Sequence, residues 1–144
     1  MSRSGYVDDC DDVLAEGRWR AAVNRAMRGR RGQAFLKELL AAMDALPEKR
    51  LARDELEMET GGMPFHRRTD VCALGAVGRA RGLDMSNLDP HESEEVASAF
   101  GIANAMAREI VEWNDRRNET PEARFIRMRK WIEAEIIREQ SATV

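Results

Sequence analysis

From Val71 to Gly82 the chain reads VCALGAVGRARG. Cys72, Ala73, Gly75, Ala76, Gly78 and Ala80 carry almost no side-chain bulk there, while Leu74 and Val77 supply apolar contact. Glycine inside a helix costs about 1 kcal/mol against alanine, so two of them in one helix imply that a neighbouring element approaches the backbone closely. This predicts a central core helix, packed on more than one side, with Cys72 buried and structural. A sharper reading places Cys72 at the helix N-terminus, where the dipole lowers a thiol's pKa and could create a nucleophile. That chemistry needs a base, and the two histidines, His66 and His91, stand in no recognisable cysteine-enzyme context. No catalytic residue is assigned.

The remaining periodicity is helical almost throughout. Ala15, Trp19, Ala22, Val23, Ala26 and Met27 recur at helical spacing, and Phe35, Leu36, Leu39, Leu40, Met43 and Leu46 repeat the pattern up to Pro47. Between Glu55 and Phe65 the pattern changes to alternation around Thr60-Gly61-Gly62, which predicts a short hairpin with Met63 and Phe65 on its second arm. Asp89-Pro90-His91-Glu92 has the form of a helix start, with a capping carboxylate and proline at the first helical position. That helix runs to Gly101, a further one from Ile102 to Trp113 ends in Asn114-Asp115, and Thr120-Pro121-Glu122 opens the last. Thr69-Asp70 can cap the Cys72 helix only in part, so Asn114 or Asp115 is expected to supply a tertiary cap to it or to pin the adjoining loop. The fold class is mainly α, a compact bundle of five or six helices with one short β-hairpin, forming a single helical domain over residues 1–144 with ends fraying at 1–8 and 139–144.

With 43% hydrophobic and 34% charged residues, 144 residues suffice for one core without disulfide or metal staples. A net charge of -3 demands neither nucleic acid nor membrane. No apolar run approaches the roughly 20 residues that span a bilayer, the first residues lack a signal peptide's apolar segment, and the two cysteines, Cys10 and Cys72, make neither a disulfide framework nor a closed zinc site. A cytosolic compartment is expected, with no cofactor and no metal.

Three surfaces could carry function. Arg18, Arg20, Arg25, Arg28, Arg30 and Arg31 follow one another with no acid between them, and Gly29 and Gly32 stand at the corner. Arg18, Arg25, Arg28, Arg30 and Arg31 are the candidate partner- or phosphate-binding set; a solvated face whose stems cover core is the alternative. Ala97 to Ile110 has helix-turn-helix spacing, but Glu92, Glu94, Glu95, Glu109 and Glu112 would repel a duplex, so it reads as a packing motif. Asp8, Asp9, Asp11 and Asp12 lack the alternation and glycine of a calcium loop and read as caps of the first helix.

Cys-Ala-Leu-Gly-Ala at 72–76, the Asn114-Asp115 helix end and the Thr120-Pro121-Glu122 start together resemble a group of small bacteriophage and prophage proteins. The opening Ser4-Gly5-Tyr6 with Asp8-Asp9-Cys10-Asp11 is similar to the same group. So are Arg31-Gly32-Gln33-Ala34-Phe35-Leu36 and Leu46-Pro47-Glu48-Lys49-Arg50-Leu51, and the likeness covers most of the chain. Met58 to Thr69 departs from it, being longer than the group's usual tight turn. The resemblance implies a mobile-element context and no activity. Cys72, Gly75, Gly78, Asn114, Asp115 and Thr120 are its structural motif. The expected function is that of a non-enzymatic phage or prophage accessory protein in the host cytoplasm, binding a host protein or protein complex of a defence or regulatory kind; a nucleic-acid-binding regulator using the arginines is the alternative. The oligomeric state stays open.

Overall fold

In a computed structural model of the chain, residues 13–60 and 68–137 are described. Among them the chain forms α1 (Val13–Arg28), α2 (Arg30–Asp44), β1 (Glu57–Thr60), β2 (Arg68–Val71), α3 (Ala73–Arg81), α4 (Ser93–Phe100), α5 (Asn104–Asp115) and α6 (Pro121–Glu135). The mainly α bundle with one hairpin is thus present; the expected frayed ends and the acidic run at 8–12 lie outside the described residues.

Most helix ends have a chemical cause. Thr120 Oγ1 accepts the Ala123 N–H at 3.1 Å and Pro121 occupies the first turn of α6, where its missing donor costs nothing. Gly82 and Gly101, with φ of 71° and 73°, end α3 and α4 in the left-handed conformation that only glycine adopts freely. At α3 the Leu83 N–H reaches back to the Gly78 carbonyl at 2.9 Å.

The bundle is built around α3. Every residue from Asp70 to Gly78 is buried, and α3 packs against α2, α5 and β2. Its glycines meet the close approach expected of them: a Cβ at Gly75 would strike the Leu56 carbonyl and the Val71 side chain, and one at Gly78 would strike the Met85 sulfur. Phe35, Leu36, Leu39 and Met43 of α2, Leu74 and Val77 of α3, Val96 and Phe100 of α4, Met106 and Ile110 of α5, and Phe125, Met128 and Ile132 of α6 share this one core. Apolar burial at roughly 25 cal/mol per Å² is its main stabilisation. At one edge the Trp113 and Trp131 rings stack at 4.9 Å and 15°, joining α5 to α6. No helix of the described residues is long and apolar enough to cross a membrane.

Three local expectations are corrected. The hairpin is antiparallel, but its second arm is Arg68–Val71, pairing Glu57 with Val71 and Thr60 with Arg68; Met63 and Phe65 lie outside the described residues. The later arm buries Val71 and lets the Cys72 N–H bond the Leu56 carbonyl at 3.1 Å. Thr69 and Asp70 therefore belong to β2, and Cys72 is itself the cap of α3. Asp89-Pro90 does not start α4, which begins at Ser93 after Glu92. The Asp89 carboxylate instead accepts the His91 N–H at 2.9 Å, a local turn that satisfies the aspartate before the helix begins.

Candidate functional site

The last two residues of α5 are short, polar and buried, Asn114 to 1% exposure and Asp115 to 5%. Polar groups at that depth need partners, and these find them on two other segments. Asn114 Oδ1 accepts the Ala73 N–H at 3.1 Å, satisfying a first-turn amide of α3 as a tertiary cap. Its Nδ2 donates to the Ala52 carbonyl and to Asp115 Oδ1, both at 2.9 Å. Asp115 Oδ1 also accepts the Asp54 N–H at 3.0 Å, so the loop is pinned as well. Asp54 has φ of 66°, the one positive φ of a non-glycine residue among those described. Such a conformation costs about 1–2 kcal/mol and persists where surrounding contacts dictate it.

The other Asp115 oxygen, Oδ2, faces His91, whose Nε2 lies 3.5 Å away. Asp54 Oδ1 is 3.9 Å from the same nitrogen, and Asp89 Oδ1 stands 3.5 Å from Nδ1 on the far side of the ring. One nitrogen and two carboxylate oxygens of Asp54, His91 and Asp115 thus lie within 4.8 Å of one another. His91 and Asp115 border a cleft of about 500 Å³, which Asn104, Arg108 and Glu112 line from one face of α5 and Glu92, Glu94 and Glu95 from the start of α4; Asp54 lines a different one.

The arginines form a separate surface. Arg25, Arg30 and Arg31 border a depression of about 230 Å³ at the α1–α2 corner, where Ile102 and Ala103 lead into α5. The helix starts at Gly29 and Ala103 that flank it have no side-chain cap. Arg18 and Arg28 are exposed on α1. None of these five side chains makes an ion pair or hydrogen bond with another described residue. Arg20 does otherwise: it grips the buried Glu109 with two bonds, at 3.2 and 3.3 Å, and Glu109 also accepts from Trp113 Nε1 at 3.1 Å. The sixth arginine is therefore structural.

Cys72 Sγ accepts the Gly75 N–H at 3.3 Å. Its thiol is pushed up to about 12 by burial, with the neighbouring Asp115 charge adding to the shift. Desolvation outweighs the helix dipole, and the activated thiol finds no support. The helix-turn-helix pair exists as α4, Gly101 and α5, but Arg108 lies over the Trp19 ring at 4.6 Å and glutamates line the cleft between the helices.

Sequence reasoning named Asn114, Asp115, Cys72 and the arginines, weighed His91 only as a base for Cys72, and missed Asp54; both residues lie on segments joined to Asp115 only by folding. It also missed Arg124, which is buried to 3% and donates to the carbonyls of Leu51 at 3.0 Å and Glu119 at 3.1 Å, tying α6 to two loops. Compared with protein-family models, with curated proteins and with solved structures, the chain matches none.

Proposed function

We propose that this protein is a non-enzymatic binding protein of phage or prophage origin that engages an acidic surface of a host protein or complex in the host cytoplasm. The observation that supports the reading is the arginine surface of α1 and its corner with α2: five exposed arginines whose side chains are unpaired among the described residues, in a chain whose net charge is -3. A folded protein that turns one arginine onto a buried glutamate and leaves five others unpaired has cations available for a partner. Arginine is suited to this, being planar, weakly hydrated and able to grip carboxylates with two bonds. The host context rests on the resemblance of the motifs at 72–76, 114–115 and 120–122 to phage proteins.

A second reading, nucleic-acid binding, is favoured by one observation: two helix starts without side-chain caps flank the same corner, and helix N-termini attract phosphate. The combined variant Arg28→Glu, Arg30→Glu, Arg31→Glu separates the outcomes. On the first reading it loses a discrete host partner that wild type retains through affinity purification, and neither protein binds duplex DNA. Affinity for DNA that falls steeply with salt and vanishes in the variant establishes the second reading instead. Full retention of the host partner by the variant overturns the first.

A further inference from the structure

We propose that Asp54, His91 and Asp115 bind a single first-row divalent metal ion, with Zn²⁺ the ion that the donor set favours. The geometry comes first. Donor atoms bound to zinc at about 2.0–2.2 Å lie about 3–3.5 Å from one another. His91 Nε2 stands 3.5 Å from Asp115 Oδ2 and 3.9 Å from Asp54 Oδ1. All three donor atoms lie within 4.8 Å of one another, so closing on an ion requires the exposed Asp54 side chain to move inward.

The surroundings also prepare these atoms for a cation. Asp115 is buried, and its Oδ1 is taken by Asn114 Nδ2 and by the Asp54 N–H, which orients the carboxylate and leaves Oδ2 turned to the cluster. The Asp89 carboxylate lies 3.5 Å from Nδ1, so the ring nitrogen that faces Asp54 and Asp115 is Nε2. Asp54 is held at φ of 66° by the same Asp115 oxygen. A carboxylate fixed by hydrogen bonds to its other oxygen is an outer contact that metal ligands use. An ordinary histidine–aspartate pair needs neither a third donor nor a strained backbone.

The donor set selects among ions. One imidazole and two carboxylates are too few for calcium, which takes six to eight oxygens, and magnesium seldom takes imidazole. Three protein ligands leave at least one position open, and two of them, His91 and Asp115, line the cleft of about 500 Å³. Such a site carries water or an oxygen donor from a bound molecule, unlike a closed structural zinc site. Glu92, Glu94, Glu95 and Glu112 against the single Arg108 make the cleft attractive to cations.

The test uses the full chain and is independent of the arginine corner. Titration with Co²⁺ is expected to give visible absorption bands that saturate at one ion per chain and disappear when Zn²⁺ is added. His91→Ala and Asp54→Asn are each expected to weaken Zn²⁺ binding, read by calorimetry, by at least about tenfold. Asp54→Gly removes a ligand and relieves the positive φ, so it should fold more stably than wild type while its melting temperature no longer rises with Zn²⁺. No Zn²⁺ binding by wild type up to millimolar concentration overturns the site. So does binding that His91→Ala and Asp54→Asn leave unchanged, which would place the ion elsewhere in the chain.

Discussion

The Ala73 N–H meets Asn114 Oδ1 at 3.1 Å across 41 positions of sequence, and the same amide group donates to the Ala52 carbonyl at 2.9 Å. One side chain thereby joins α3, α5 and the loop before β1. Asn114→Ala leaves a buried donor and a buried acceptor without partners, each costing about 1–3 kcal/mol. A loss of about 2–6 kcal/mol is expected, read as a lower urea midpoint with an unchanged slope.

Glycine has opposite meanings at two positions of this chain. Gly17 sits in the interior of α1 with nothing within 4 Å of where a Cβ would stand. Gly17→Ala should raise stability by about 1 kcal/mol through helix propensity alone. Gly75→Ala drives a methyl group into the Leu56 carbonyl, where backbone must move, and should cost about 3 kcal/mol. Thermal unfolding of the two variants should show shifts of opposite sign.

Cys72 should resist labelling. In a Cys10→Ser background, a thiol reagent at pH 8 is expected to react with the native protein only at the rate of its opening, and at once when urea is added. With the folded thiol pushed up to about 12, the unfolded chain gives up its proton first as pH rises. The thiol's contribution to stability is thus complete below the unfolded value, about 8.5, and is lost above it. Fast labelling of the native protein would contradict its burial.

Acid should weaken the fold through identifiable pairs. Glu38, Asp44 and Glu119 are all held below their ordinary pKa by hydrogen bonds from Arg81, Arg129 and Arg127 respectively. Because the unfolded chain takes up protons first, their stabilisation is present above about pH 4.5 and is lost as pH falls below that range. Glu119→Gln, at the least exposed of the three pairs, should flatten the fall in melting temperature between pH 5 and 3.

The bundle was legible because its signals are local. Small residues from Cys72 to Gly78 announced close packing, and Thr120-Pro121 marked a helix start that no distant contact alters. The hairpin register is not local: alternation points to Met63 and Phe65 and Thr69-Asp70 has the composition of a cap, whereas Arg68–Val71 pairs with Glu57–Thr60 and buries Val71. Asp89-Pro90-His91-Glu92 has a helix start's composition, yet the same aspartate closes a turn two residues ahead. The cluster at Asp54, His91 and Asp115 draws on a loop, a turn and a helix end, so no spacing along the chain could reveal it.

The stacked indoles at the edge of the bundle give the molecule an optical gauge of its own. Trp113 lies one residue before Asn114, and its ring is 4.9 Å from Trp131 and 4.0 Å from the Arg116 guanidinium. Trp19 lies beneath Arg108 of the same helix. All three tryptophans of the chain therefore sense α5. Two parallel indoles at this separation couple electronically, so near-ultraviolet circular dichroism should carry a paired band that collapses when α5 shifts against α6, with no attached dye.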